Sequence, residues 1–334
     1  MVLAVIATLV GLALLVWAAE IFVDGAVALA RALDVSPVVI GAVIVGFGTS
    51  LPELLVSGVA AAEDDRALGV GNVVGSNVAN LSLVLASAGL ITVIVAEGEA
   101  RRLELPLSVL AAGAFALVAS DGEITRIEGV GLIVALVVAL TVILRTSRPA
   151  DPDLFGPAEE LAAESSSVAR ELWRSASGLA LTAVGAQVAV SGAENVAMEL
   201  GLSGGFVGFS LVAVGTSLPE LVTAVAAVRR GETELVVGNL LGSNIFNSLA
   251  VGAAIGLIGP GPVGDDVLTS FGLIIMMVVG LVAGGFLFWG GVGRIRGGIL
   301  LGLWLVALVG LATSDREGEA IDPDQAVVTA VTFE

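Results

Sequence analysis

The chain has 334 residues, 57% of them hydrophobic and only 14% charged, with a mean hydropathy of +1.03; ordinary soluble domains carry about 25% charged residues. A net charge of -18 leaves no basic patch for nucleic acid. Cysteine and histidine are both absent, which removes disulfides, thiolate chemistry, Cys/His zinc sites and histidine bases.

A bilayer-spanning helix needs about 20 consecutive apolar residues. Runs of that kind lie at 2–28, 37–61, 67–95, 103–120, 128–146, 176–199, 204–228, 234–259, 267–290 and 296–313. The pattern predicts an all-α integral membrane protein with ten transmembrane helices. The first run has an uncharged n-region and a long apolar stretch, and it carries Glu20 and Asp24 where a signal peptide would be cleaved, so it reads as a retained span. Residues 1–146 hold five spans, 147–175 form a linker, 176–313 hold five more, and 314–334 form an acidic tail. Residues 158–174 have some helical character but belong with the linker. Acidic residues collect at Glu63-Asp64-Asp65, in 151–171 and in 315–334, a surface that stays solvated at high salt. Glu20, Asp24 and Glu194, near span ends, are expected to be interfacial or interhelical.

All 14 basic residues are arginine, and they divide unequally between the loops. Eleven follow odd-numbered spans; Arg66, Arg126 and Arg316 lie on the other side. Cytoplasmic loops carry the excess of positive charge. The expected arrangement is a multi-pass protein of the cell membrane, with both termini outside and the 147–175 loop cytoplasmic.

The two halves repeat. GTSLPEL occurs at Gly48–Leu54 and again at Gly215–Leu221, an offset of 167. At the same offset Gly71-Asn72 returns as Gly238-Asn239, Gly75-Ser76-Asn77 as Gly242-Ser243-Asn244, and Asn80 as Asn247. Five spans is an odd number, so the second copy enters from the opposite side, and the halves are inverted repeats. Such repeats build substrate sites near the midplane from interrupted helices.

The repeated residues suit that role. Pro52 lacks an N–H and its ring clashes with the carbonyl of Gly48, while Leu51 is pushed from helical geometry. A kink with freed carbonyls is predicted near Gly46–Pro52, and another near Ala213–Pro219. Freed carbonyls in a membrane occur only inside protein or against a cavity. One turn on stand Glu53 and Glu220. A charge at the bilayer centre costs about 2.5–3.5 kcal/mol on insertion scales, and no Arg, Lys or His lies in a deep span to offset either glutamate. Their partner must be a cation or a proton. Hard cations prefer six to eight oxygens; two bidentate glutamates with the carbonyls of Thr49 and Thr216 would supply six. The GxxxG pairs let helices approach closely and bring Ser76, Asn77, Ser243 and Asn244 to the crossing. Asn80 and Asn247 serve either as ligands or as interhelical hydrogen bonds.

At these residues the sequence resembles the Na⁺/Ca²⁺ exchanger family of the calcium/cation antiporter superfamily, in its prokaryotic form, over essentially the whole chain. The resemblance implies that Glu53 and Glu220 are paired cation ligands. It places Thr49, Ser50, Ser76 and Asn80 in one half of the site and Ala213, Thr216, Ser217, Ser243 and Asn247 in the other, with backbone oxygens from Gly46 and Ala213. It also implies alternating access, in which spans one and six slide past the remainder. Two departures stand out. Asn247 replaces an aspartate of well-known members, and the linker is too short for a calcium-sensing domain. The partners expected are Ca²⁺ and Na⁺, with H⁺ or K⁺ as alternative coupling ions, and the lipid bilayer. No cofactor, obligatory protein partner or enzyme constellation is indicated. A cation channel is the rival class; it would more readily form a ring of subunits.

Overall fold

The computed structural model describes residues 2–33, 37–98, 100–146, 167–199 and 217–319. Helix α1 is Val2–Ala32. Pro37–Ile40, Gly41–Val45 and Gly46–Thr49 follow one another as α2, and Leu51–Ala62 forms α3. Then come α4 (Arg66–Ile91), α5 (Ala100–Ala119), α6 (Arg126–Thr146), α7 (Val168–Glu199), α8 (Leu218–Arg229), α9 (Thr233–Ile258), α10 (Leu268–Phe288) and α11 (Arg294–Glu319). Six of these, α1, α4, α5, α6, α9 and α10, are long and apolar enough to cross a bilayer, or seven if α2 and α3 count as one bent span.

The predicted kink is present. The axes of α2 and α3 differ by 41°. The break falls at Ser50 (φ -86°, ψ 2°), and Ser217 takes nearly the same conformation (φ -90°, ψ 2°) at the start of α8. Pro52 and Pro219 thus sit in the first turn of a new helix, where an N–H has no intrahelical partner to lose. The segment before Ser217, with Ala213 and Thr216, lies outside the described residues. Both α4 and α9 contain one π-helical turn, at Asn80–Val84 and Asn247–Val251, again 167 apart. Such widened turns commonly mark functional sites.

Helices α1 and α7 pack along their length through glycines. A Cβ on Gly25 would meet Ser175 N at 2.8 Å, one on Gly178 would meet Phe22 N at 2.6 Å, and one on Gly192 would meet Thr8 N at 2.6 Å. The position on α7 falls as that on α1 rises, so the helices are antiparallel. The contacts also come in repeat-related pairs, since the Gly25–Ser175 contact maps onto Gly192–Thr8 when the halves are exchanged. The short pairings are close to repeat-related: exchanging the halves takes the bridge Ile94–Val292 to Gly261 and Thr125, one residue from the observed Ile124–Gly261 pair between β1 (Glu123–Ile124) and β2 (Gly261–Pro262).

Loop contacts fall into two groups. Arg230 on the α8–α9 turn bonds Asp24 at 2.6 Å and lies 3.9 Å from Glu20, while Arg174 bonds Asp24 at 3.1 Å. Glu20 and Asp24 are therefore interhelical partners; the Glu194 side chain is outside the described residues. In the other group, Arg66 reaches Gly259 O at 2.7 Å and Pro260 O at 3.2 Å. The acidic turn 63–65 is more than a solvated loop. Asp64 has φ 65° and pairs with Arg66, and Asp65 caps α4 by accepting from Leu68 N at 3.0 Å. Asp65→Ala should cost about 1 kcal/mol, read as a lower thermal midpoint in detergent.

Helix α7 begins at Val168, inside the interval the sequence gives to the linker. Ser167 explains the early start: its Oγ accepts from Arg170 N at 3.2 Å, as an N-cap does. Residues 158–166, the earlier part of the weakly helical stretch, lie outside the described residues.

Candidate functional site

Helix α9 crosses α2 at backbone contact. A Cβ on Gly242 would lie 2.5 Å from Ala42 Cα, and one on Gly46 would lie 2.7 Å from Ser243 N. Small residues let the two backbones touch, as the GxxxG pattern anticipates. The partners that the repeat assigns to Gly71 and Gly75 fall in 200–216, outside the described residues.

The predicted side chains near this crossing are buried. Thr49, Ser50, Glu53, Ser76, Asn80, Ser217, Glu220, Ser243 and Asn247 are each at most 4% exposed. Thr49 Oγ1 lies 3.0 Å from Ser243 Oγ, which also donates to Gly46 O at 3.3 Å. Gly46 O is thus engaged by its neighbours and does not project alone. Ser76 Oγ donates to Glu53 Oε1 at 3.5 Å. Glu220 lies within reach of the charge on Glu53 and beside the Thr49 hydroxyl. Among the described residues no group of three Asp, Glu, His or Cys side chains assembles, so the acidic part of the site is a pair.

Sequence reasoning gave some residues too small a part. Asn239 Oδ1 accepts from Thr49 Oγ1 at 3.2 Å and from Ser243 at 3.3 Å, joining the two halves. Its counterpart Asn72 works within its own half, donating to Glu53 O at 3.1 Å and Ser57 Oγ at 2.9 Å. Both were visible as a repeated Gly-Asn. Asn80 Nδ2 donates to Asn244 Oδ1 at 3.1 Å, and Asn244 Nδ2 donates to Asn77 O at 3.3 Å. Asn80 therefore makes the interhelical bond and keeps its oxygen for something else.

The unpartnered atoms give the site its chemistry. Ser50 Oγ, Ser217 Oγ, Glu53 Oε2, both Glu220 oxygens, and the Oδ1 atoms of Asn77, Asn80 and Asn247 are buried without a hydrogen-bond partner among the described residues. Asn247 Nδ2 is the one nitrogen with them. Leaving a buried polar group unsatisfied costs about 1–3 kcal/mol, and more when it is charged. A cluster made almost wholly of oxygens, two of its groups carboxylates, suits a hard cation such as Ca²⁺ or Na⁺.

Known proteins resemble the chain throughout. The family described as sodium/calcium exchanger protein matches residues 3–145 and 171–312. CaxA of Alkalimonas amylolytica is 38% identical over 78% of this chain and 82% of its own length. The sodium/calcium exchanger MaX1 of Methanosarcina acetivorans is 29% identical over 82% of this chain and 88% of its own. Among solved structures, the sodium-calcium exchanger NCX_Mj soaked without Na⁺ and Ca²⁺ superposes with a TM-score of 0.81 at 31% identity, covering 92% of this chain and 99% of that one.

Proposed function

Because the chain belongs to the sodium/calcium exchanger family, a family of cation antiporters and not of enzymes, we propose that it exchanges Na⁺ for Ca²⁺ across a membrane by alternating access. The observation that carries this reading is the pair of buried carboxylates among unpartnered oxygens. In this reading Glu53 and Glu220 hold the cation. Ser50, Ser76 and Asn80 complete one half of the site and Ser217 and Asn247 the other. Thr49 and Ser243 join the halves, and Thr216 and the carbonyls of Gly46 and Ala213 add oxygens as the ion settles.

The architecture proposed with it is ten spans in two inverted five-helix repeats, residues 1–146 and 176–313, joined by a cytoplasmic linker, with the termini outside. Three observations support it. The repeat-related glycine contacts of antiparallel α1 and α7 require an axis perpendicular to both helices. Loops after odd-numbered spans contact one another, as do loops after even-numbered spans. The arginine excess lies on the odd side. Helices α1 and α7, gripping each other through glycines, are the natural unit to slide past the remainder.

Asn247 favours a second reading of the coupling. Two carboxylates balance one Ca²⁺ or two Na⁺, and a third Na⁺ would leave the filled site net positive. Exchange is then electroneutral, or coupled to H⁺ or K⁺. A channel is the weaker rival, because this one chain encloses its own site. The test is Ca²⁺ uptake into proteoliposomes loaded with Na⁺ and diluted into choline, with K⁺ and pH gradients in parallel. Uptake that requires internal Na⁺ supports the first reading. Uptake driven only by the pH gradient or by K⁺ replaces it with the second. A reversal potential fitting three Na⁺ per Ca²⁺ would overturn electroneutrality, and uptake without counter-transport would favour a channel.

A further inference from the structure

The two halves of the site are unequal, and the inequality traces to one residue. Exchanging the halves turns the bond from Asn80 Nδ2 to Asn244 Oδ1 into one from Asn247 Nδ2 to Asn77 Oδ1. The first bond is present at 3.1 Å. The second is absent: Asn77 Oδ1 and both amide atoms of Asn247 are unpartnered among the described residues, although Asn77 is 2% exposed and Asn247 is 0% exposed. The amide of Asn77 is committed elsewhere. Its Nδ2 donates to Ser248 Oγ at 2.9 Å and lies 3.4 Å from Met276 Sδ. Ser248 is also fully buried. Its counterpart one repeat away is Leu81, which has no polar atom to offer Asn244.

We propose that Ser248 is a positioning residue: by holding the Asn77 amide it keeps the Asn247 carboxamide unpaired and available to a cation or its water. The Asn80–Asn244 pair then presents Asn80 Oδ1 alone, because Asn244 Oδ1 is spent on Asn80. The Asn77–Asn247 pair presents both of its oxygens, together with the Asn247 N–H groups, which are unpartnered among the described residues. The site is therefore richer in oxygen at the Asn77–Asn247 pair, and Ser248 tunes how strongly cations bind there. The residues that differ between the repeats, and not those they share, set this property.

The proposal rests on the cation reading above. Its test is equilibrium binding of radioactive Ca²⁺ to the full-length protein in detergent, with displacement by Na⁺. Ser248→Ala frees the Asn77 amide to pair with Asn247. Ca²⁺ or Na⁺ binding should weaken about tenfold, the size of one redirected hydrogen bond. Ser248→Thr keeps the hydroxyl and should restore wild-type binding, while thermal melts of both variants check folding. In an Asn77→Ala background the Ser248→Ala change should have no further effect, since the group that Ser248 holds is gone. Wild-type binding by Ser248→Ala overturns the proposal. So does an equal loss with and without Asn77, which would make Ser248 a packing residue only. A wild type that binds neither Ca²⁺ nor Na⁺ overturns the cation reading itself, and the proposal with it.

Discussion

Glu53→Gln and Glu220→Gln should each lower cation exchange by about 100- to 1,000-fold, while leaving the protein folded and slightly more stable in cation-free buffer. Removing one partner of a buried, hydrogen-bonded charge interaction costs about 3–5 kcal/mol, and each 1.4 kcal/mol is a factor of ten. In the proposed site the lost interaction is with the ion, since no basic side chain lies in a deep span. The sign of the stability change follows from the same burial. Both glutamates are at most 1% exposed, and three of their four oxygens have no partner among the described residues. Without a cation that arrangement is costly, and a neutral amide of the same shape relieves it. With a cation the order reverses. A ligand that binds only the folded protein stabilises it by an amount that grows with concentration over Kd, about 2.7 kcal/mol at 100 times Kd. Thermal melts of wild type and variants with and without Ca²⁺ should therefore cross: the wild type gains stability with Ca²⁺ and the variants do not. Variants that keep exchange, or that keep the Ca²⁺-dependent shift, would remove the glutamates from the site.

Much of the fold is legible because lipid leaves the chain few options. Backbone groups in a bilayer must pair within helices, so apolar runs bounded by charge mark the elements, and Pro52 places the α2–α3 break to within two residues. The start of α7 is harder to read. Its first turns, with Arg170, Glu171 and Arg174, look like the end of an acidic linker. The structure gives those charges partners: Glu171 is 3% exposed and receives Arg170 at 3.0 Å, and Arg174 reaches across to Asp24. Hydropathy registers that they are charged but cannot register that the charges are matched.

The site divides in the same way. An internal repeat exposes what both halves keep, so it marks Glu53 and Glu220, the threonines, and Asn80 and Asn247 as candidates. It is silent on how the halves differ. Asn72 and Asn239 are the same residue type at the same repeat position, yet one ties α4 to α3 within its own half and the other reaches Thr49 in the opposite half. Ser248 falls where the repeat fails, opposite Leu81, and there is no pattern to single it out. Nor does any pattern mark Glu104, fully buried at the π-helical turn that opens α5.

The crossing of α2 and α9 should be as intolerant of side-chain volume as the site is of lost charge. Gly242→Ala adds one methyl group, and its Cβ would fall on the Ala42 carbonyl, with Ala42 Cα at 2.5 Å and Ala42 C at 2.7 Å. Those atoms are backbone, so no rotamer change can make room and the helices must separate. The next residue along α9 is Ser243, whose hydroxyl holds Gly46 O at 3.3 Å and Thr49 Oγ1 at 3.0 Å. A separation of even about 1 Å breaks both bonds, since no side-chain hydrogen bond survives at about 3.6 Å or more, and Thr49 loses its place beside Glu220. Overpacking typically costs about 1–3 kcal/mol and occasionally more; a backbone clash belongs at the upper end. Gly242→Ala should therefore lower the thermal midpoint and reduce exchange more than tenfold, and Gly242→Leu should abolish assembly of the site. Gly131→Ala on α6 is the matched control. A Cβ there meets nothing within 4 Å, and alanine favours a helix over glycine by about 1 kcal/mol. It should leave exchange intact and stability equal or higher. If Gly242→Ala behaves like Gly131→Ala, the two helices do not touch as closely as this geometry requires, and the link from the crossing to the cation site fails with it.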